Sequence, residues 1–237
     1  MYVGGIEGDT MAKNEVLLEV TEKHLNTGLR GVPVGTCRTS FVTPSEGVHY
    51  CGYPITELAS FEPEDIIYLL FNKELPTPEQ SVAIRQDLAS RAALPGDLES
   101  VLKALPKFGH PMDWLSVGIH TLGMLETTND WKEDALNLIA RMPRLMGLIF
   151  RIREGREENI PADDTTLSMV ERFVRTLDLH DADDEKMKQI ISTYLVLHMD
   201  HGGGNLSTFA GKAIASSKAT VYSSMAGAMN ALSGPLH

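Results

Sequence analysis

Over most of the chain, apolar side chains recur every three or four residues, the spacing that places them on one face of an α-helix. These stripes lie in residues 66–71, 113–125, 134–153, 169–177 and 187–195. Pro63 and the Thr77–Gln80 capping-box pattern mark helix starts, and Asp164 is placed to cap the helix at 169–177. Pro143 removes one backbone hydrogen bond, so we expect a kink or a division of its helix. The pattern predicts a predominantly helical chain.

Strand character is confined to the first quarter of the chain. Residues 30–43 and 47–53 flank Pro44–Gly47, where a proline followed three residues later by a glycine fits a type I turn. One hairpin cannot form a core, so it must pack against helices. We therefore expect an all-α, multi-helix domain over 61–237, a small β-hairpin region over 28–60, and an extension and lead-in over 1–27.

Residues 208–230 are unusually rich in Ala, Ser and Gly. Small side chains at near-helical spacing let two backbones approach closely, so we expect a helix over 208–232 that is buried at the centre of a bundle or dimer. The Gly-Pro pair that follows is typical of a helix end. Because the sequence stops directly after this stretch, we expect it to be the N-terminal piece of a longer polypeptide.

The charge balance excludes some functional classes. Lys and Arg number 21 against 32 for Asp and Glu, which gives a net charge of −11. A nucleic-acid partner would require a basic surface, so none is expected, and any anionic ligand needs a local group of positive side chains. The chain has no apolar run of bilayer length and no targeting pattern at its start, so we expect a cytoplasmic protein without a membrane partner. Cys37 and Cys51 are expected to remain reduced thiols.

The densest polar cluster of the chain lies at residues 198–204, where two histidines precede three glycines. His198 and His201 stand one helical turn apart, so their imidazoles together with Asp200 could bind a metal ion. The glycines favour another arrangement, in which the helix ends and a small anionic ligand accepts a hydrogen bond from an imidazole. A third interpretation is that both histidines simply end a core helix. The residues alone leave these three interpretations open.

A further candidate is His237, which follows Gly-Pro-Leu in the expected loop after the small-residue stretch. Histidine titrates near neutral pH, so a ring in such a loop suits general acid–base work. The chain contains no nucleophile elbow, no Walker loop and no dinucleotide-binding glycine pattern. We expect His201 and His237 to lie at the rim of one cavity.

Several segments, in order along the chain, resemble motifs of the citrate synthase family. The segment 31–58 resembles the family's hairpin and its "RGY-x-I-EEL" motif, although Cys51 stands where arginine is usual. Residues 67–77 resemble "YLLL-x-GELPT", and His110–Asp113 matches "HPMD". The two most specific likenesses are 198–207 to "H-x-DH-x-GGN-x-S" and 233–237 to "GPLHG-x-AN". The likeness covers nearly the whole chain after about residue 28.

The resemblance implies a citrate-synthase-like helical large domain and the condensation of acetyl-CoA with oxaloacetate to citrate and CoA. It implies small-molecule substrates, a homodimer, and neither a metal nor a redox cofactor. His201 would help to hold oxaloacetate, and His237 would donate a hydrogen bond to the thioester carbonyl as the enol forms. Asn205, Ser207 and His198 would orient those rings.

In the family, the carboxylate base, a second catalytic histidine and the arginines that bind oxaloacetate follow the His237 motif. We therefore expect no turnover from these 237 residues alone. Two alternatives stay open. The enzyme could be a 2-methylcitrate synthase that uses propionyl-CoA, or the chain could be a catalytically incomplete helical dimerisation module.

Overall fold

The computed structural model describes Val16 and His237 together with residues 18–26, 35–179, 184–202 and 204–235. In this part of the chain the helices are α1 Ile55–Leu58, α2 Pro63–Asn72, α3 Pro78–Arg91, α4 Gly96–Lys103, α5 Pro111–Glu126, α6 Trp131–Glu154, α7 Met169–Leu177, α8 Asp184–His198, α9 Leu206–Ala215 and α10 Val221–Leu232. Short 3-10 turns cover Glu22–Asn26 and Glu157–Asn159. The fold is all-α with one small sheet, which confirms the predicted class.

The sheet contains the predicted hairpin and one additional short strand. Strands β1 Ser40–Thr43, β2 Gly47–Tyr50 and β3 Tyr53–Pro54 form an antiparallel sheet in that order. The first strand begins only at Ser40, because residues 35–39 are irregular, and the second ends at Tyr50, because the chain turns at Cys51 and Gly52. The rest of the predicted first strand, residues 30–34, lies outside the described residues. The predicted strand 47–53 is thus divided, and its last residue, Tyr53, belongs to the separate third strand.

Local capping decides where several helices begin. Thr77 and Gln80 form both hydrogen bonds of the predicted capping box at the start of α3. The prediction for α7 was wrong: Ser168 caps that helix and forms a capping box with Glu171. Asp164 instead accepts hydrogen bonds from Thr166 in the preceding turn.

The main core lies between α4, α5, α6 and α10. Trp114, Leu122, Leu145, Ile152 and Tyr222 are among its fully buried side chains. Pro143 is buried inside α6, which continues through it from Trp131 to Glu154 as one helix. Of the two outcomes expected at Pro143, a division of the helix is therefore wrong.

A second cluster joins the sheet to α2 and α8. Tyr50, Leu58, Leu69 and Val196 are completely buried in it. The Tyr50 hydroxyl donates a hydrogen bond to the carbonyl of Val196, 2.9 Å away, near the end of α8. Burial raises the pKa of Tyr50, so this hydroxyl keeps its proton and its role as a donor. The cluster thereby fixes the position of the segment that follows α8.

The C-terminal part differs from the prediction in three respects. The small-residue stretch forms two helices rather than one, because Thr220 starts α10 with a cap to Ser223 N. No residue of α9 is fully buried. On α8 the expected core stripe is partly exposed, with Ile190 at 53% and Tyr194 at 60%, while Val196 provides the buried contact.

Candidate functional site

The candidate site begins where α8 ends at His198. Met199 packs against the second cluster, and Gly202 is buried with a φ of 79°, a left-handed conformation that favours glycine. The chain therefore turns sharply between α8 and α9 and carries Asp200 and His201 in the turn. Gly203 lies outside the described residues.

Asp200 joins this turn to the N-terminal segment. Ser40 Oγ donates to Asp200 Oδ1 at 2.7 Å, and Thr39 Oγ1 donates to Oδ2. The backbone N–H of Gly202 donates to Oδ1 at 2.9 Å, and Asp200 N lies 3.3 Å from the Tyr50 hydroxyl. The carboxylate thus connects residues about 160 positions apart. In the metal-site interpretation Asp200 was a ligand, whereas here its oxygens are bound by hydroxyl and amide donors.

The turn and the N-terminal segment enclose an open cleft of about 580 Å³. One wall is the segment 36–39 and the other is the turn 198–202, with side chains of α9 and its cap closing the floor. His201, Asn205 and His198 all line this cleft, so three of the five residues predicted for the site come together. Asn205 caps α9 by its backbone position, without a hydrogen bond from its side chain.

The ring of His198 is held by its own helix. Nδ1 lies 2.9 Å from the carbonyl oxygen of Tyr194, which can only accept, so Nδ1 carries a proton. The ring also stacks on that of Tyr194, with 4.2 Å between centroids. His198 is therefore fixed in place by α8 and presents Nε2 as its remaining ring nitrogen.

Basic side chains gather at this cleft although the chain carries a net charge of −11. Arg38 projects from the N-terminal wall and Lys212 from α9. Lys212 Nζ donates to the carbonyl of Thr36 at 3.3 Å, so it also ties α9 to that wall. A local group of positive side chains of this kind is what an anionic ligand requires in an acidic protein.

Cys37 lies in the same wall, and both Cys37 and Cys51 are free cysteines in this structure. Burial by itself would raise the pKa of Cys37, but hydrogen bonding with Thr39 and Ser40 outweighs it and the pKa is lowered. Burial raises the pKa of Cys51, which contacts the carbonyl of Leu69. Cys37 is therefore the more reactive thiol of the two.

The remaining predicted residues, Ser207 and His237, contact each other at the start of α9. His237 Nε2 accepts a hydrogen bond from the backbone N–H of Ser207 at 3.4 Å and lies 3.0 Å from Ser207 Oγ. The ring thereby satisfies one of the N–H groups that a helix leaves without a partner in its first turn. His237 is not among the residues that line the cleft, and the expectation that it shares a rim with His201 stays a prediction.

Sequence analysis had not predicted that Arg38, Lys212 and Cys37 belong to the site. It had also not predicted the structural role of Asp200. The basic residues carried a usable signal, since isolated cations in a strongly acidic chain are candidates for anion contacts. The two hydroxyls that bind Asp200, those of Thr39 and Ser40, gave no sequence signal, because they are far from Asp200 along the chain.

Within the described residues, no group of three or more His, Cys, Asp or Glu side chains is arranged to hold a metal ion. Among the helices described, none is both long and apolar enough to cross a bilayer.

Residues 28–237 match the family model described as citrate synthase, C-terminal domain. Citrate synthase 4, mitochondrial, of Arabidopsis thaliana is 33% identical over 234 residues, which cover 89% of this chain and 48% of that protein. The mitochondrial citrate synthase of Daucus carota is 31% identical over 234 residues, with 89% and 49% covered. The chain thus spans about half the length of the curated relatives it matches. Their mitochondrial names give no support to the expected cytoplasmic location.

Solved structures give the same result. The crystal structure of citrate synthase from Thermotoga maritima MSB8 superposes with a TM-score of 0.77 at 28% identity, covering 89% of this chain and 56% of that one. The crystal structure of citrate synthase from Pyrobaculum aerophilum gives a TM-score of 0.78 at 26% identity, with 87% and 54% covered. The fold and the sequence motifs therefore point to one family.

Proposed function

The chain belongs to the citrate synthase family, and from this premise we propose that its full polypeptide condenses acetyl-CoA with oxaloacetate to give citrate and CoA. This chain would supply the donor that stabilises the enol of the thioester and part of the oxaloacetate site. Both roles rest on two histidines, His201 in the cleft and His237 beside the first turn of α9.

The observation that carries the proposal is the position of His237 on that turn. A ring nitrogen that accepts an N–H carries no proton, and Nε2 accepts from Ser207 N. In the neutral tautomer that fits this contact, the ring proton is on Nδ1, and Nε2 also lies 3.0 Å from the Ser207 hydroxyl oxygen. We propose that Nδ1–H of this tautomer is the hydrogen-bond donor.

Formation of the enol requires a donor of this kind. A carboxylate takes a proton from the methyl carbon of acetyl-CoA, the C–H electron pair becomes the C=C bond, and negative charge moves to the thioester oxygen. A fixed N–H directed at that oxygen stabilises the charge as it develops. The enol carbon then attacks the ketone carbon of oxaloacetate, and hydrolysis of the resulting thioester releases citrate and CoA. The resemblance assigns the carboxylate to the sequence that follows the His237 motif in the family.

The cleft supports the assignment of His201 to oxaloacetate. Oxaloacetate is a small dianion, and His201 lines a cleft whose walls carry basic side chains in an otherwise acidic chain. An imidazole N–H can donate to the ketone or to a carboxylate of this substrate. His201 would therefore orient the electrophile while His237 stabilises the nucleophile.

Steady-state kinetics of the full-length polypeptide test this proposal. We expect release of CoA thiol from acetyl-CoA only when oxaloacetate is present, and we expect His237→Ala to lower kcat by about 10²- to 10³-fold, as loss of an oxyanion donor does. His120→Ala, a change of an exposed histidine on α5, is the matched control and should keep the activity of the wild type. Normal turnover in His237→Ala, or thiol release without oxaloacetate, would refute the proposed chemistry.

The same assay separates the two acyl substrates. We propose acetyl-CoA as the physiological thioester, so its kcat/KM should exceed that of propionyl-CoA. A preference for propionyl-CoA would assign the chain to the 2-methylcitrate subtype instead.

We also propose that the full polypeptide is a homodimer. Ile190, Tyr194 and Leu197 follow one face of α8 and are 53%, 60% and 39% exposed, which supports an apolar contact there. The small residues of α9 and α10, by contrast, are used within the chain, where Gly211 and Gly227 let the two helices touch. Sedimentation equilibrium should give twice the mass of the full polypeptide. The mass of one polypeptide would refute the dimer.

A further inference from the structure

Cys37 and Cys51 lie on two segments of the chain that pair with each other. The outermost pair of the β1–β2 ladder is Ser40 with Tyr50, and one step further the backbone N–H of Cys51 donates to the carbonyl of Thr39 at 2.7 Å. Thr39 therefore lies opposite Cys51, and Cys37 stands two residues before Thr39 on the same segment. The Cys37 sulfur is 3.5 Å from the hydroxyl oxygens of Thr39 and Ser40.

The two thiols are close to each other but are not bonded. Burial is the main reason that the pKa of Cys51 is raised, and the charges of Asp200 and Cys37 raise it further. In a regular antiparallel ladder, residues in this diagonal relation have Cα atoms about 7–8 Å apart. A disulfide needs a Cα separation of about 4.4–6.8 Å, so a shift of about 1–2 Å in the segment of Cys37 brings the sulfurs into range. Residues 35–39 form neither helix nor strand, so such a shift disrupts no regular element.

We infer that Cys37 and Cys51 form a reversible disulfide when the protein meets hydrogen peroxide, and that this bond moves the N-terminal wall of the cleft. Both cysteines are free in the structure, which is the reduced state. Cys37 reacts first, because it lines the open cleft and because hydrogen bonding with Thr39 and Ser40 outweighs burial and lowers its pKa. Cys51, which does not line this cleft, reacts second.

The reaction consumes one molecule of peroxide. The Cys37 thiolate attacks one peroxide oxygen, the O–O bond breaks, and the hydroxide that leaves takes up a proton to become water, so that Cys37 becomes a sulfenic acid. The Cys51 thiolate then attacks the Cys37 sulfur, the S–O bond breaks, and a second water leaves as the S–S bond forms. The two thiols lose two protons and two electrons in total, and the peroxide takes them up. Dithiothreitol reverses the reaction by thiol–disulfide exchange.

The disulfide changes the cleft because the wall is attached on both sides of Cys37. At one end the carbonyl of Thr36 accepts a hydrogen bond from Lys212, and at the other end two hydroxyls donate to Asp200. Movement of Cys37 disturbs both attachments, and the turn of Asp200 also carries His201. Oxidation therefore displaces one wall and disturbs the other. This consequence for activity rests on the proposed function, whereas formation of the disulfide does not.

Peptide mass mapping of the full-length polypeptide tests the disulfide directly. After treatment with hydrogen peroxide and digestion without reductant, we expect a linked pair of peptides that contain Cys37 and Cys51, lighter than the separate peptides by the two hydrogens lost. Dithiothreitol should separate the pair. In Cys51→Ser the pair cannot form, so dimedone should trap Cys37 as the sulfenic acid. Cys37→Ser should give neither product.

Steady-state kinetics test the consequence for the cleft. The oxidised wild type should have a kcat/KM for oxaloacetate about 10- to 100-fold below that of the reduced protein, as for a displacement of about 1 Å at a site, and dithiothreitol should restore it. Cys51→Ser is the matched control. Before oxidation it should have the kcat/KM of the wild type, because Cys51 does not line the cleft.

Peroxide-treated wild type in which Cys37 stays a thiol, stops at the sulfenic acid or links to a cysteine other than Cys51 would overturn the inference. A linked pair with unchanged kcat/KM would overturn the displacement of the wall. If the wild type forms the linked pair but does not condense its substrates, the proposed function fails and the disulfide stands. If condensation is normal and no linked pair forms, only the inference fails.

Discussion

Removal of the Asp200 carboxylate should weaken the fold and the cleft together. Asp200→Ala deletes the acceptor of three hydrogen bonds, from Thr39 Oγ1, from Ser40 Oγ and from Gly202 N. A hydrogen bond to a charged acceptor contributes about 1.5–3 kcal/mol when buried, but these groups are only partly buried and water can replace some of the loss. We therefore expect a decrease of about 2–4 kcal/mol in the free energy of unfolding, measured by urea denaturation and far-UV circular dichroism.

Two matched variants separate the carboxylate from a general effect of losing a charge. Asp200→Asn keeps one carbonyl oxygen for Ser40 and Gly202, so it should lose only about 1 kcal/mol. Asp97→Asn, at an exposed position of α4, should lose less than about 1 kcal/mol, the size of a helix-dipole effect. In the full-length polypeptide, Asp200→Ala should also weaken oxaloacetate binding, because both walls of the cleft depend on it. A free energy of unfolding for Asp200→Ala that lies within about 0.5 kcal/mol of the wild-type value would refute this reasoning.

Three further predictions follow from individual contacts. Gly123→Ala should destabilise the protein by about 1–3 kcal/mol, because the new methyl group would lie 2.6 Å from the Cβ of buried Tyr222. A hydrogen bond from Lys188 is the main reason that the pKa of Glu171 is lowered to about 2 from its ordinary 4.5. Glu171→Gln should therefore lose about 1–2 kcal/mol at neutral pH, allowing for a side chain that is 33% exposed, and this difference should vanish as the pH falls from 4.5 towards 2. Alkylation of Cys37 by iodoacetamide, followed by peptide mass spectrometry, should be slowed by oxaloacetate because the thiol lines the cleft.

Each of these predictions has a control or a result that would contradict it. Gly96→Ala adds the same methyl group where no atom lies within 4 Å, so it should not destabilise the protein, and equal losses at both glycines would contradict the packing argument. The sign for Glu171 follows from a lowered pKa, since the ionised form stabilises the fold above pH 4.5. A stability difference that grows on acidification would contradict it. Alkylation of Cys37 at the same rate with and without oxaloacetate would place the ligand elsewhere.

Features encoded within a few residues could be predicted from the sequence. The capping box of Thr77 is one, because both of its hydrogen bonds join residues three apart. At α7 a better local signal was available, since Ser168 and Glu171 have the same spacing and Ser168 directly precedes the helix that Asp164 was expected to cap. These starts depend on neighbouring residues alone, which is why sequence patterns identify them.

Features decided by packing could not be predicted in the same way. Pro143 remains within one helix because α6 is buried on both sides of it, and the packing compensates for the missing hydrogen bond. The stretch 208–232 divides at residues 216–220, where Lys218 has a φ of 64°, although its composition is uniform across that point. Small residues indicate that two backbones touch, but they do not indicate whether the second backbone belongs to the same chain.

In the candidate site, too, residues close together in the sequence could be predicted, whereas contacts between distant residues could not. His201 and Asn205, both from the motif at 198–207, line one cleft, since they are only four residues apart. The opposite wall comes from residues 36–39, and the hydroxyls that attach it to Asp200 are about 160 positions away. A contact of that range has no local pattern, so the basic and thiol side chains of this wall became visible only in three dimensions.

The central claim is that α9 holds His237 as a neutral ring with its proton on Nδ1, and nitrogen NMR tests it most directly. The full-length polypeptide would be labelled with 15N-histidine, and His237→Ala would identify the signals of this ring. We predict a protonated Nδ1 and an unprotonated Nε2 at neutral pH, because Ser207 donates to Nε2. A proton on Nε2 would contradict the account, since the ring could then neither accept the helix N–H nor present Nδ1–H to the thioester.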